Sequence, residues 1–180
     1  RFHHRLFFHG EIHRSLGGGD RRGNAAFSRL HLVVERFIGR LRTPWTERSH
    51  CPKNVAESDA RCTVEVDPPF RPALDGLETC SHVVVLYWLG EAERDFLVQA
   101  PGHGPRPLGT FALRSPNRPN PIGLAAVPLL GIADGVLTVR GLDALDGTPL
   151  LDLKPYIART DSHPEAIVGW REDAGADARP

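Results

Sequence analysis

The sequence predicts a mainly β protein, a closed or nearly closed barrel built from a single sheet, with short helices only in passing. Three observations predict it. From Val33 onward, short apolar runs of strand length are broken by Pro/Gly turns. No βαβ rhythm recurs and no G-x-G-x-x-G occurs, which argues against a Rossmann-type nucleotide site. The 180 residues, 41% of them apolar, suffice for one packed domain.

The elements follow in order. Residues 36–42 alternate charged and apolar side chains as a first strand, and 43–60 form a polar loop holding Pro44, Trp45 and Pro52. Residues 61–66 alternate like a half-exposed strand that Asp67-Pro68-Pro69 stops, and 73–77 supply one helical turn. Residues 82–89 are apolar on both faces, as in a strand buried on two sides. A short helix is expected over 91–99, a loop over 101–107, and strands at 108–113 and 122–132. Ala133-Asp134-Gly135 is a hairpin signal leading into a strand at 136–140. Asp146-Gly147 makes another turn before a strand at 149–153. The domain is expected over residues 32–173, with a flexible or non-native leader at 1–31 and a disordered tail at 174–180.

Charge needs dividing before it is interpreted. The net charge is zero, yet residues 1–31 carry six Arg against Glu11 and Asp20, so the rest of the chain is acidic by four charges. Within that remainder, residues 36–53 hold five basic groups and one acid, and residues 94–118 hold four and one. Phosphate contact depends on local charge, so overall neutrality does not exclude a nucleic-acid partner. No run approaches the ~18 apolar residues of a membrane span. Cys51, Cys62 and Cys80 are an odd set without a C-x-x-C, which excludes a disulfide framework and a zinc ribbon and suits the reducing cytoplasm. Cys80 with His82 leaves a Cys/His hydrolase as a minor alternative, against small half-buried thiols.

Three segments carry polar chemistry. In residues 109–124, GTFALRSPNRPNPIGL, prolines flank the polar groups and hold Arg118 and Asn120 extended. Backbone fixed in this way lowers the entropy cost of holding side chains at a ligand. Arg114 and Arg118 offer planar forks for a carboxylate or phosphate, and the Asn120 amide can match an adenine edge. The alternative is a rigid turn with solvated arginines. Residues 141–157, GLDALDGTPLLDLKPYI, place Asp143, Asp146, Asp152, Lys154 and Tyr156 on one turn and the strand after it. They form either a cluster facing a pocket or a hairpin turn with a surface ion pair. In WTERSHCPKN, residues 45–54, Trp45 either stacks on a base or anchors the loop.

Together these segments resemble the TsaA-like family, whose characterised members are the TrmO tRNA adenine-N6 methyltransferases. The block from Gly109 to Gly123 looks like that family's signature, and the CPKN loop and the LDALDGTPLLDLKPY stretch fall in the expected order. The resemblance covers about residues 37–156. It implies a single-sheet barrel that uses S-adenosylmethionine outside the Rossmann-like folds and works as a homodimer. The implied product is N6-methylated threonylcarbamoyladenosine beside the anticodon of tRNA.

Carried over by position, cofactor contacts fall on Pro52, Lys53, Asn54, Gly90, Glu91, Arg114, Gly141, Leu142, Asp143 and Ala144. Arg118, Asn120, Lys154 and Tyr156 are expected toward the substrate, with no metal and no membrane involved. An acylated, ring-conjugated amine is a poor nucleophile and needs a proton acceptor, for which Asp143 and Asp146 are the candidates and Tyr156 a weaker one, with Asn120 expected beside them at the catalytic site. Three departures stand out: Gly90 replaces a His frequent in relatives, Asn54 stands where Gln is usual in some, and the C-terminal domain of longer relatives is not in this sequence. A non-catalytic nucleotide- or cofactor-binding barrel remains the alternative.

Overall fold

A computed structural model describes residues 36–102 and 106–172. The expected leader at 1–31 and tail at 174–180 lie outside the described residues. Among the described residues eight strands follow in chain order: β1 (Gly39–Arg42), β2 (Arg61–Val66), β3 (His82–Trp88), β4 (Val98–Gln99), β5 (Leu108–Gly109), β6 (Ile122–Ala133), β7 (Val136–Arg140) and β8 (Pro149–Pro155). Six of them close into an antiparallel barrel in the order β1-β2-β7-β6-β3-β8, and β4 with β5 makes a separate two-stranded ribbon. Closure is the pairing of β1 with β8, where Gly39 faces Leu150 and Arg40 faces Pro149.

Alternation builds the core. Cys62, Val64 and Val66 of β2 point inward and meet Leu41, Val83, Val85, Val127, Leu137, Val139 and Leu150 from the other strands. On β3 only Val83, Val85 and Tyr87 are fully buried, while Val84, Leu86 and Trp88 are half-buried. Register shifts at Leu86/Tyr87 against β8 and at Leu129/Gly131 on β6 add the local twist that closure requires. The β6–β7 hairpin turns on Asp134 (φ 52°) and Gly135 (φ 82°), the two positive φ values of a type I′ turn.

The structure corrects three local expectations. Residues 91–99 are not helical: the Glu93 N–H donates to Asn117 Oδ1 (3.2 Å) and Arg94 Nε to the Pro119 carbonyl (2.7 Å), so contacts with the Pro-rich run replace a helical ladder. The strand at 108–113 shortens to two residues, because the Leu113 N–H turns back to the Thr110 carbonyl (3.1 Å) in a tight 3-10 turn. The helical turn after β2 is also 3-10, over Pro68–Leu74, where three prolines lack the N–H groups of an α-helix. Among the described residues no helix is long and apolar enough to cross a membrane.

The topology sorts the connections by end. The loops β1–β2, β3–β6 and β7–β8 leave one end of the barrel, and these hold the WTERSHCPKN, RSPNRPNP and GLDALDG segments. The β2–β3 connection, the β6–β7 hairpin and the exit of β8 occupy the other end.

Candidate functional site

At the first end, Tyr87 and Asp143 form the centre. Tyr87, only 3% exposed, points inward from the end of β3 and donates its hydroxyl to Asp143 Oδ1 at 2.5 Å. Its ring lies on Gly123 across the β3–β6 pair, where a Cβ would sit 2.0 Å from Cε2, so only glycine leaves room for it. Burial, then the Asp143 charge and hydrogen bond, push the Tyr87 pKa far above its ordinary value, and Arg114 opposes that shift. Arg114 therefore sits within electrostatic reach of the pair; one of its N–H groups donates to the Leu124 carbonyl at 3.3 Å. Cys51 shares the same space: burial first and then Asp143 and Cys62 raise its pKa. Burial also raises Cys62, against the backbone N–H groups of Leu142 and Gly141. Both shifts favour the thiol over the thiolate.

The turn carrying Asp143 is fixed from both sides. Gly141 adopts φ 83°, and a Cβ there would meet the carbonyl oxygens of Ser58 and Val55 at 2.8 and 2.9 Å. Its N–H donates to Ala60 at 3.0 Å. Trp45 Nε1 donates to the Leu142 carbonyl (3.1 Å) and Thr43 Oγ1 to the Ala144 carbonyl (2.9 Å). Trp45 is thus half-buried as an anchor and is not a free stacking platform. Leu142 and Ala144 point into the core and offer backbone only.

Asp146, expected beside Asp143 as a proton acceptor, is engaged elsewhere. Its Oδ1 accepts from the Thr43 N–H (3.1 Å) and its Oδ2 from Arg42 Nη1 (3.5 Å), which clamps β1 to the turn. Asn54 is likewise spent locally. Its Oδ1 caps the 3-10 turn at the Ala56 N–H (2.9 Å), while Glu57 accepts from Asn54 Nδ2 and from the Lys53 N–H. Asn54 and Glu57 together satisfy the N–H groups that open this turn. Pro52 is half-buried and Lys53 exposed on the same loop. Gly90 is exposed, and a Cβ added there would touch only the Trp88 ring, at 3.6–4.0 Å, so its backbone is open to close approach. Glu91 is exposed beside it.

The Pro-rich run is braced from beneath. Arg94 lies over the Trp88 ring (5.4 Å), bonds the Pro119 carbonyl and reaches Asn120 Oδ1 at 3.4 Å. Gln99 ties Thr110, Ser115 and the Asn117 carbonyl together. Arg118 Nη1 reaches back to the Leu113 carbonyl at 3.3 Å. Arg94 and Gln99 were not singled out in the sequence, because nothing in their local spacing says that their partners lie 11 to 26 residues away.

Lys154 and Tyr156 are not brought to this cluster. Lys154 pairs with Val84 on β3 and binds Asp152 at 2.7 Å, and the Tyr156 N–H donates to His82 at the start of β3, the barrel's other end. The two-residue side-chain period does put Asp152 and Lys154 on one face, but that face looks outward. Cys80 and His82 lie at that other end too, where His82 meets Ser81 Oγ and the Tyr156 ring. Among the described residues no group of three or more His, Cys, Asp or Glu comes together as a metal site would require.

Residues 40–162 match the tRNA-methyltransferase O N-terminal domain, and the match includes every loop of this end. The chain belongs to that family. An S-adenosyl-L-methionine-binding protein of Archaeoglobus fulgidus is 38% identical over 129 residues, which are 72% of this chain and 93% of that protein. A longer protein of the same organism, whose name likewise refers to S-adenosyl-L-methionine binding, is 46% identical over 150 residues, 83% of this chain and 41% of its own length. A crystal structure of TrmO superposes with TM-score 0.64 at 39% identity, covering 74% of this chain and 61% of that one. TrmO from Pseudomonas aeruginosa gives 0.62 at 38%, covering 74% and 60%. The chain thus spans 41% to 61% of these longer relatives. The closed barrel, short helices and antiparallel sheet agree with the fold expected from the sequence.

Proposed function

We propose that this protein is an S-adenosylmethionine-dependent tRNA methyltransferase that methylates N6 of threonylcarbamoyladenosine at position 37, beside the anticodon. The observation that carries the reading is convergence: three motifs distant in sequence meet at one barrel end around Tyr87 and Asp143, in a chain of the methyltransferase family. The donor set fits the cofactor. Arg114 suits an amino-acid carboxylate, the Asp143 carboxylate suits a positive sulfonium, and Gly90 with the 141–144 backbone suits close approach by a nucleoside.

The bound cofactor supplies a methyl group on a positively charged sulfur. The protein's own work is placement, since alignment of attacking and leaving atoms can account for ~7–11 kcal/mol of such a barrier. Asp143 Oδ1 is fixed by Tyr87, while Oδ2 has no protein partner among the described residues. Oδ2 would take the proton that N6 loses when the bound cofactor's methyl–sulfur bond gives way to a methyl–N6 bond, leaving a neutral thioether. Arg118 and Asn120, locked by the flanking prolines, orient the adenosine.

A homodimer in the cytoplasm belongs to this reading. The loop excursion that carries the Pro-rich run exposes Phe111 (79%), Leu97 (67%) and Val98 (61%) beside the site. Apolar side chains so exposed suit a second copy of the chain. A non-catalytic cofactor-binding barrel is the second reading, favoured by relatives named for binding alone. The test is incubation with labelled S-adenosylmethionine and tRNA carrying threonylcarbamoyladenosine, followed by nucleoside mass spectrometry. A product heavier by one methyl group supports transfer. Cofactor binding with no methylated product supports the second reading.

A further inference from the structure

We propose that the outer wall formed by β2 and β7 grips the phosphate backbone of RNA through the cross-strand pair Arg61 and Arg140. This inference rests on the tRNA reading above. The barrel register places Arg61 directly opposite Arg140, and Thr63 opposite Thr138 in the next outward row. Inward burial of Cys62, Val64, Leu137 and Val139 turns all four of these side chains outward on one face. Like charges directly opposed on antiparallel strands destabilise the pair, and strand formation alone is better served by Thr or Val at either place.

The charges around the pair make the arrangement unusual. Arg40 and Arg42 of β1 share Glu65, at 3.9 and 3.1 Å, and Arg42 also reaches Asp146. The carboxylates on that wall are therefore already engaged. Arg61 and Arg140 have no ion pair or side-chain hydrogen bond among the described residues, with Asp59 included among the carboxylates that do not reach them. Two exposed guanidinium groups thus share one cross-strand position with no counter-charge among the described residues.

Their position is equally specific. Arg140 ends β7 three residues before Asp143, and Arg61 begins β2 where the Ala60 carbonyl receives the Gly141 N–H. The pair is therefore built into the rim of the end that holds the Tyr87–Asp143 centre. Guanidinium forks match phosphate oxygens, and the two threonine hydroxyls below offer further donors. An open sheet face gives no enclosure for a small anion, whereas a polyanionic backbone can lie along it. The grip is indifferent to base identity and positions the substrate strand for a pocket that reads one nucleoside.

The experiment measures tRNA affinity of Arg61→Gln, Arg140→Gln and the double variant across a series of salt concentrations, together with cofactor affinity and thermal midpoint. The expected result is a log–log salt dependence shallower by about one unit for each arginine removed. KM for tRNA rises while kcat and cofactor affinity hold, and the thermal midpoint stays level or rises as the repulsion is relieved. Unchanged affinity and slope, with the parent protein binding tRNA, overturn the inference alone. Weakened binding with an unchanged slope also overturns it, as does a parallel loss of cofactor affinity. A parent protein that neither binds nor methylates tRNA overturns the functional reading, and the inference with it.

Discussion

The two ends of this barrel are closed by different physics. The end opposite the site is shut by local devices and by backbone bonds between strands: a type I′ turn at Asp134-Gly135, a 3-10 segment at Pro68–Leu74, Arg71 Nε bonded to the Val66 carbonyl five residues away, and the Val66 N–H bonded to the Gly135 carbonyl (2.9 Å), with no long-range side-chain tie of the kind found at the site among the described residues. It also holds an open, largely apolar groove of about 560 Å3 under that segment, lined by Ile38, Phe70, Leu74, Leu77 and Leu153 among others. The site end is held by bonds between residues about 100 positions apart, from Thr43 and Trp45 to the turn at 142–146. Local turns fix where a chain reverses. Only long-range ties fix where two distant side chains meet, and Tyr87 with Asp143 is such a meeting.

The largest test of that contrast is Asp143→Asn. Loss of the proton acceptor should lower methyl transfer by about 10²- to 10⁴-fold, well beyond the fall in cofactor affinity, because the amide still accepts from Tyr87 but no longer offers a negative charge to the sulfonium. The paired control is Lys154→Ala at the other end, which should leave single-turnover methyl transfer near the parent value. Equal losses in the two variants would dissolve the distinction between the ends. Next comes Gly123→Ala, whose new methyl group would sit 2.0 Å from the Tyr87 ring. Overpacking of this kind costs about 1–3 kcal/mol, and the thermal midpoint and cofactor affinity should fall together, since displacement of Tyr87 moves its bond to Asp143.

Much of the architecture was legible in the sequence. Alternation in Arg61–Val66, the apolar His82–Trp88 run and the Asp134-Gly135 turn each announce themselves within a few residues. Barrel closure follows because the strands alternate and no helices separate them. The site was legible as segments and not as bonds. Asp146 and Asn54 were expected at the chemistry, yet one clamps Arg42 and Thr43 while the other caps a 3-10 turn. Both roles are common for short polar side chains next to a turn, and a sequence shows the residue without its partner. Lys154 and Tyr156 lie away from the Tyr87–Asp143 centre, a position that spacing does not show, since a shared face does not say whether that face is at the rim or along the wall. The segments at 91–102 and 106–120 were the least readable, because Gln99 and Arg94 organise them through contacts that periodicity does not encode.

A smaller effect concerns alkaline pH. The Tyr87 pKa is raised in the folded protein, first by burial and then by Asp143, while the unfolded phenol titrates near ~10. The folded state therefore keeps a proton that the unfolded state gives up. Its stabilising contribution is complete below about pH 10 and declines above it, at up to ~1.4 kcal/mol per pH unit for this group. Cys51 and Cys62, also raised, start a decline in the same direction nearer pH ~9. Denaturant midpoints measured from pH 7 to 11 should fall only in the upper half of that range, and Tyr87→Phe should flatten the steepest part. A loss of stability toward neutral pH instead would mean that Tyr87 is not held buried against Asp143.

The smallest expected effect isolates a single tie. Trp45→Phe keeps the half-buried ring but removes the Nε1 donor to the Leu142 carbonyl (3.1 Å). One hydrogen bond of this kind contributes ~0.5–1.5 kcal/mol, so the thermal midpoint should drop by only a few degrees. Its consequence for the site should be larger than its consequence for the fold. Leu142 precedes Asp143, and Thr43 and Asp146 still hold the turn from its other side. The carboxylate therefore keeps its partner Tyr87 but gains freedom in the backbone that aims its second oxygen. The measurement is a kcat decrease exceeding the change in cofactor affinity, in a variant whose denaturant midpoint is close to the parent's. If kcat instead falls only as far as stability does, the long-range ties serve the barrel as a whole, and the two ends differ in bonding pattern but not in purpose.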